Sequence, residues 1–329
     1  METVLSGIRS TGNLHLGNYY GALRNFVRLQ ESHRCFFFIA DLHSLTTHPK
    51  AADFHGSVLQ ILAEYLASGL DPEKCALYVQ SDIPEISEMY VLLNMLAYVG
   101  ELERTASFKE KVRKHPQNVN AGLLTYPVLM ATDILIHRAH KVPVGKDQEQ
   151  HLEITRAYAR RFNNLYGAAL FPEPDAYNFG GELIKIPGLD GSGKMGKSEG
   201  NGIFLTDDEA AIRRKVKKAV TDAGEKTDAM SEPVKNLFTI MSAVSTPEVL
   251  NFYKQAHAAG AIRYGDMKNQ LADDICKVTL PIRARILDML QNARYLQKVR
   301  KNGAEKARES AAATLLEMKK LMGFKAIEN

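Results

Sequence analysis

Through residue 205, short apolar runs rich in β-branched and aromatic side chains recur at 3–6, 35–40, 77–80, 142–144 and 183–186, and stretches of helical period separate them. This rhythm constrains the fold most: strands joined by helical crossovers pair in parallel and need cover on both faces. Leu16, Tyr20, Leu23 and Val27 share one helical stripe, as do Phe54, Val58, Leu62 and Tyr65, which predicts two helices packed on a sheet. The expected class is α/β, a Rossmann-like doubly wound parallel sheet. From residue 206 strand signals cease, and 206–220, 232–243, 247–259, 266–292 and 295–321 carry helical patterns. Residues 1–205 are expected to form the sheet domain, 206–292 an all-helical domain, and 293–329 a C-terminal helix packing back on the sheet domain. Gly-rich 188–202 and the stretch 221–232 are the expected linkers; no internal repeat or low-complexity segment is visible.

A chain of 329 residues, 45% hydrophobic and 24% charged, is long enough for two packed domains and unlike a disordered one. The net charge is only +4, yet basic side chains gather at 213–218 and 298–325, a pattern that fits either a polyanionic partner or a solvated helix face. Cys35, Cys75 and Cys276 are far apart and belong to no CxxC pair or Cys/His cluster, so reduced thiols and no metal site are expected. The N-terminal METVLSGIRSTG has neither the basic start nor the apolar run of an export signal, and no stretch approaches the length of a membrane span. A cytoplasmic location is expected.

Behind the first strand comes S-G-I-R-S-T-G-N-L-H-L-G-N at 6–18. Glycines at the carboxyl end of a first strand let a ligand approach the backbone, and the helix that follows offers free N–H groups to an anion. His15 is placed to donate to a phosphate oxygen, and Gly17 leaves a flat place for a base. On these residues alone, a tight strand-to-helix turn capped by His15 fits equally well.

Residues 191–198, G-S-G-K-M-G-K-S, satisfy the phosphate-loop pattern GxxxxGK[ST] literally. Such a loop needs a strand running into it and a helix leaving from its Lys-Ser. Here the exit is Glu199-Gly200-Asn201-Gly202, and no helical stripe starts before Thr206. Residues 36–41 resemble an apolar strand ending in a magnesium-binding acid, but lie far upstream. A flexible lysine-rich loop at 194–198, closing over a nucleotide held elsewhere, fits the glycines better.

Taken together, H-L-G-N at 15–18 and K-M-G-K-S at 194–198 resemble, in order and separation, the HIGH and KMSKS motifs of class I aminoacyl-tRNA synthetases. G-E-L-E-R at 100–104, F-K-E-K at 108–111, A-G-L-L-T-Y-P-V-L-M-A-T-D-I-L at 121–135, V-P-V-G-K-D-Q-E-Q-H-L-E at 142–153 and K-A-V-T-D at 218–222 resemble the bacterial tryptophanyl branch over essentially the whole chain. The resemblance implies activation of L-tryptophan by ATP, with Mg2+ bridging phosphate oxygens, and transfer to tRNA(Trp) by a homodimer. No enzyme nucleophile is required; such chemistry depends on positioning and on cations where negative charge develops.

By the same resemblance His15, Lys111, Lys194 and Lys197 are the catalytic side chains, with Lys111 on a mobile loop. Arg9, Ser10, Thr11, Gly17, Asn18, Gly145, Lys146, Asp147, Ile186, Met195, Gly196 and Ser198 join Lys194 and Lys197 around ATP. Leu5, Gly7, His43, Tyr126, Met130, Asp133 and Gln148 are implied around tryptophan. The indole N–H is only a donor, and Asp133 is its candidate acceptor. On a helix Tyr126, Met130, Asp133 and His137 fall on one face. Read without the surrounding block, Asp133 fits equally as a cap or salt-bridge partner on a core helix.

Many members carry Gln at position 9, Gln at 42, Glu at 146 and Ser at 196, where this chain has Arg9, Leu42, Lys146 and Gly196. Arg9 and Lys146 add positive charge beside the nucleotide, and Gly196 loosens the loop. Arg213, Arg214 and Lys217, with Lys215 and Lys218, crowd a helix suited to tRNA phosphates, and 206–292 is implied to read the anticodon. An apolar helix at 86–100, with Met89, Leu92, Leu93, Leu96 and Tyr98, is either dimer surface or core. Rival readings are a tyrosyl-tRNA synthetase, which Asp133 and V-G-K-D-Q argue against, and an inactive RNA-binding paralogue, which His15 and the three lysines argue against.

Overall fold

The computed structural model describes residues 1–114, 116–145, 149–177, 185–197, 199–222 and 230–325. Strands β1 (Thr3–Arg9), β2 (Arg34–Ala40), β3 (Ala76–Val79), β4 (Lys141–Val142) and β5 (Asp175–Ala176) form one sheet in the order β3-β2-β1-β4-β5, every pair parallel. The doubly wound α/β class expected from the alternation is thus the observed one. The strand order reverses between β1 and β4, so their carboxyl ends open the crevice in which such sheets hold ligands.

Helices α1 (Leu16–Asn18), α2 (Arg24–Leu29), α3 (Asp41–Ser44), α4 (Ala51–Ala67), α5 (Pro84–Asn94), α6 (Val99–Glu103), α7 (Ala106–Lys114), α8 (Ala121–Ile136) and α9 (Glu149–Tyr166) are interleaved with the strands. Period-two alternation sends Val4, Phe37, Ile39 and Leu77 into one core with Phe26, Ile61 and Leu62 of α2 and α4. Leu5, Phe36, Phe38 and Tyr78 enter the opposite core with Ile134 and Leu135 of α8 and Phe162 of α9.

Beyond the sheet come α10 (Glu209–Lys217), α11 (Glu232–Val244), α12 (Pro247–Ala258), α13 (Tyr264–Gln291) and α14 (Ala293–Leu321). Ile212, Val216, Leu237, Phe238, Leu271 and Ile275 build a third core. It also takes in Leu16 and Tyr20 from the first turn, and Ile186, Leu189, Met195 and Ile203 from the Gly-rich stretch. Farther along α13, Ile282 and Ile286 pack into the core that holds α4. Helix α14 lies on edge strand β3 so closely that a Cβ on Gly303 would sit 1.7 Å from the Leu77 carbonyl oxygen. Paired ions run along it: Arg300 forks onto Asp82 (2.6 and 2.6 Å), Arg308 meets Glu85 and Lys319 meets Glu88.

Three sequence expectations need correction. The fifth strand is Asp175–Ala176; residues 183 and 184 lie outside the described residues, and Lys185 and Ile186 are not in a strand. Two residues, preceded by Pro172 and Pro174, are too few to show alternation. The stripe through Leu16, Tyr20, Leu23 and Val27 is divided at a π-helical turn, Tyr19–Leu23: Leu16 and Tyr20 join the third core, while Leu23 and the partly buried Val27 pack under the sheet with Phe26. The single helix at 86–100 is two, α5 and α6, separated where Leu96 turns into the core.

Gly303→Ala is expected to lower the unfolding free energy by about 3 kcal/mol, since neither helix nor strand can move aside cheaply. In α4, by contrast, nothing lies within 4 Å of a Cβ on Gly56. Gly56→Ala should therefore raise stability by about 0.5–1 kcal/mol through helix propensity. Urea denaturation of the two variants checks both signs.

Candidate active site

The turn leaving β1 is held on every side. Ser10 donates its backbone N–H and its hydroxyl to Ser44 Oγ on α3, both at 3.1 Å. Gly12 adopts φ +64°, a left-handed value that suits glycine. Leu14 N–H donates to Glu64 Oε2 on α4 (3.1 Å), and Leu16 N–H to the Ile203 carbonyl (2.9 Å). A capping box closes α1: His15 Nδ1 accepts from Asn18 N–H (3.3 Å), and Asn18 Oδ1 accepts from His15 N–H (3.1 Å). The N–H groups of Leu14, Leu16 and Asn18, expected to face an anion, are thus occupied by protein acceptors.

His15 is buried, with the Lys197 and Lys194 charges nearby. Burial first, then these two lysines, pushes its imidazole down to about 4. The ring is neutral near pH 7, and because Nδ1 accepts, Nε2 carries the proton and donates. A Cβ on Gly17 would lie 2.9 Å from His15 Nδ1 and Cε1, so the space Gly17 leaves is filled by that ring.

The lysine-rich loop is stapled by one buried side chain. Asn201 Oδ1 accepts from Gly196 N–H (3.0 Å), while its Nδ2 reaches Asp190 Oδ1, Ser192 Oγ and the Lys194 carbonyl at 3.0–3.1 Å. Ile186 and Met195 are core residues, leaving Lys194 exposed and Lys197 partly buried. Lys197 Nζ donates to the Arg9 and Gly12 carbonyls at 3.4 and 3.3 Å, joining the two motifs directly. Flanking residues 185–190 and 199–208 form neither strand nor helix apart from an isolated bridge at Phe204, so the phosphate-loop reading fails. Asp41, its imagined magnesium acid, ties Leu42 N–H, Ser81 N–H and the Ser81 hydroxyl.

The cations act on one another. Burial, and secondarily Arg9, lowers Lys111. Burial takes Lys197 down to about 8, with Glu64 raising it and Arg9 lowering it. Lys111, expected on a mobile loop, belongs to helix α7, and its Nζ sits 3.9 Å from the centre of the Tyr126 ring.

Asp133 is fully buried on α8. His43 Nε2 lies 2.9 Å from its Oδ2, and Gln80 Nε2 donates to both oxygens at 2.8 and 2.9 Å. Burial raises its carboxyl, opposed by these hydrogen bonds. The His43 and His151 rings meet Tyr126 edge to face, and Tyr126 Oη lies 3.9 Å from Met130 Sδ. Leu5 is core beneath this wall; Gly7 and Gly145 are exposed, and Thr11 is partly so. Lys146, Asp147, Gln148 and Ser198 lie outside the described residues. The sequence reading missed Glu64, a buried acid on the inward face of α4, and Gln80, at a strand end.

On α10, Arg213 pairs with Glu209 and Asp273, and Lys215 with Asp207 and the Gly202 carbonyl. Arg214, Lys217 and Lys218 are exposed. Among the described residues, no group of three His, Cys, Asp or Glu side chains is arranged to hold a metal, and no helix is long and apolar enough to cross a membrane.

The His15 ring should titrate with a midpoint of about 4 and show the Nε2–H tautomer in long-range proton–nitrogen correlation spectra. A midpoint at the ordinary 6.5 would contradict the burial argument.

A family model described as tRNA synthetases class I (W and Y) matches residues 2–278. A tryptophan–tRNA ligase from Porphyromonas gingivalis is 59% identical over 327 residues, covering 99% of this chain and 100% of the relative. One from Clostridium tetani is 41% identical over 329 residues, covering 98% and 96%. The crystal structure of tryptophanyl-tRNA synthetase from Campylobacter jejuni, complexed with ADP and tryptophan, matches with a TM-score of 0.87 at 33% identity, over 98% of this chain and 100% of that one. With its sheet order, its paired motifs and this kinship along its whole length, the chain belongs to the class I tRNA synthetases, in their tryptophanyl branch.

Proposed function

We propose that the chain is a tryptophan–tRNA ligase that joins L-tryptophan to ATP as the adenylate, releases pyrophosphate and passes the tryptophanyl group to tRNA(Trp). One observation carries the choice of amino acid. An ionised carboxylate has about four acceptor positions, and His43 and Gln80 fill three on Asp133. The remaining one suits a single N–H, which indole supplies. Phenylalanine would leave that acceptor unpaired, a cost of roughly 1–3 kcal/mol. Tyrosine also donates, so pocket depth has to separate it.

The tryptophan carboxylate attacks the α-phosphorus and the bond to pyrophosphate breaks. Negative charge builds on the leaving group, where Lys194, Lys197 and Lys111 converge, while His15 Nε2–H donates to a phosphate oxygen without changing charge. Arg9, Ser10, Thr11, Gly17, Asn18, Gly145, Lys146, Asp147, Ile186, Met195, Gly196 and Ser198 surround the nucleotide in this reading, and Leu5, Gly7, Tyr126, Met130 and Gln148 the amino acid. Mg2+ brought with ATP would be held by the nucleotide's own phosphates and would offset part of their charge beside Lys194, Lys197 and Lys111. The tRNA ribose hydroxyl then attacks the acyl carbonyl and AMP leaves.

In the proposed division 1–205 holds the nucleotide, 206–292 reads the anticodon, and 293–329 braces the sheet. Exposed Val91, Met95, Tyr98 and Val99 supply an apolar surface for a homodimer. The kinship supports action in the cytoplasm.

ATP/pyrophosphate exchange should be driven by tryptophan and not by tyrosine or phenylalanine; exchange driven by tyrosine instead would sink the specificity, and none with any amino acid would favour a binding protein. Asp133→Ala should raise the KM for tryptophan at least about tenfold, the loss of roughly 1.4 kcal/mol, with the KM for ATP nearly unchanged. For tRNA, Arg214→Ala and Lys217→Ala should each flatten the salt dependence of binding by about one unit of slope. Arg213→Ala, already ion-paired, should do less.

A further inference from the structure

We propose that Glu64 is a positioning residue for Lys197: its buried carboxylate holds the Leu14 amide and supplies the negative charge that keeps the Lys197 ammonium seated on the Arg9 and Gly12 carbonyls. The proposal rests on the reading of Lys197 as a pyrophosphate-side cation. Glu64 projects from α4, whose other inward residues, Val58, Ile61, Leu62 and Tyr65, only cover the sheet. A carboxylate with no exposed surface in such a row is costly unless something answers its charge. Two hydrogen bonds reach it, Leu14 N–H to Oε2 and Gln60 Nε2 to Oε1, both at 3.1 Å. Neither donor is charged.

The cation that acts on it is Lys197, through space and after these two hydrogen bonds. Its ammonium sits on the turn whose Leu14 amide Glu64 holds, and each group biases the other toward its ionised form. The neighbouring elements direct their charges elsewhere. On α13, Arg283 binds the Thr206 carbonyl and Arg285 the Ala67 carbonyl; on α14, Arg300 binds Asp82. Cys35 of β2 and Tyr65 of α4 are neutral neighbours in the same core. Lys197 is faced by Arg9, which opposes its charge, and by His15. Burial lifts the Glu64 carboxyl to about 7 and takes Lys197 down to about 8, so both groups are mostly ionised only between those two values. Glu64 touches neither substrate nor reacting atoms. It acts by keeping Lys197 protonated and beside His15 until a nucleotide arrives.

Glu64→Gln keeps the shape and the acceptor for Leu14 while removing the charge. Acetic anhydride labelling of the native protein across pH, read at Lys197 by mass spectrometry, reports the ionisation of that amine directly. The labelling midpoint should fall by about one pH unit in Glu64→Gln, as expected when a favourable charge pair is removed. In Glu64→Asp, which keeps the charge, it should stay near that of the parent. An unchanged midpoint in Glu64→Gln, or an equal fall in Glu64→Asp, overturns the proposal. The alkaline limb of kcat/KM for ATP in tryptophan-driven exchange should move with the labelling midpoint, because that parameter reports the free enzyme. A parent chain without exchange would count against the ligase reading, and the labelling would still decide the role of Glu64.

Discussion

The turn between β1 and α1 is fixed by hydrogen bonds from its backbone amides to elements on several sides. Ser10 is tied to α3, Leu14 to α4, Leu16 to the stretch after the lysine loop, and Asn18 to His15. With those donors engaged, attraction for a polyanion passes to side chains, and Arg9, Lys111, Lys194 and Lys197 are what the fold brings there. Crowded cations in a partly buried place lower one another's proton affinity, and a phosphate chain relieves that repulsion on binding.

A second buried network surrounds Asp133. Asp133 of α8 draws in His43 from α3 and Gln80 from the end of β3, while Asp41 binds the Ser81 amide and hydroxyl one residue farther on. Two carboxylates thus lock the carboxyl ends of β2 and β3 to α8. A buried carboxylate that binds side chains from two other elements stiffens the wall they form. Because α13 packs on the core holding Met195 at one end and on α4 at the other, the lysine loop and the sheet share one continuous helix as backing.

Much of this was legible in the sequence where the signal repeats. Apolar, β-rich runs gave β2 and β3 to within a residue and the first part of β1, which runs on to Arg9, and helical period gave α10 to α14. The two-residue strands β4 and β5 have no room for a pattern, and the π-helical turn divides between two cores a segment whose stripe looks regular. Motif spacing brought His15 and Lys197 together correctly. It could not show that the helix amides are already occupied, since that depends on residues as distant as Glu64 and Ile203. Glu64 and Gln80 escaped because a buried polar residue carries no period of its own; only its partners in space give it meaning. On α10 a run of like charges hid a division of labour, with Arg213 and Lys215 paired inside the protein and Arg214 and Lys217 facing out.

The seating of Gly303 against the Leu77 carbonyl bears on how the chain is made as well as how it stands. The cover for β3 is encoded long after β3 itself, so a growing chain exposes that strand's unpaired groups throughout the synthesis of everything between. An open edge invites pairing with other chains. The short length of β3, the ionic residues Asp82, Glu85 and Glu88 just beyond it, and a helix whose one glycine falls at the point of closest approach together make late docking both safe and selective: the last long helix works as a latch, and a nascent chain that fails to close it remains recognisable as unfinished.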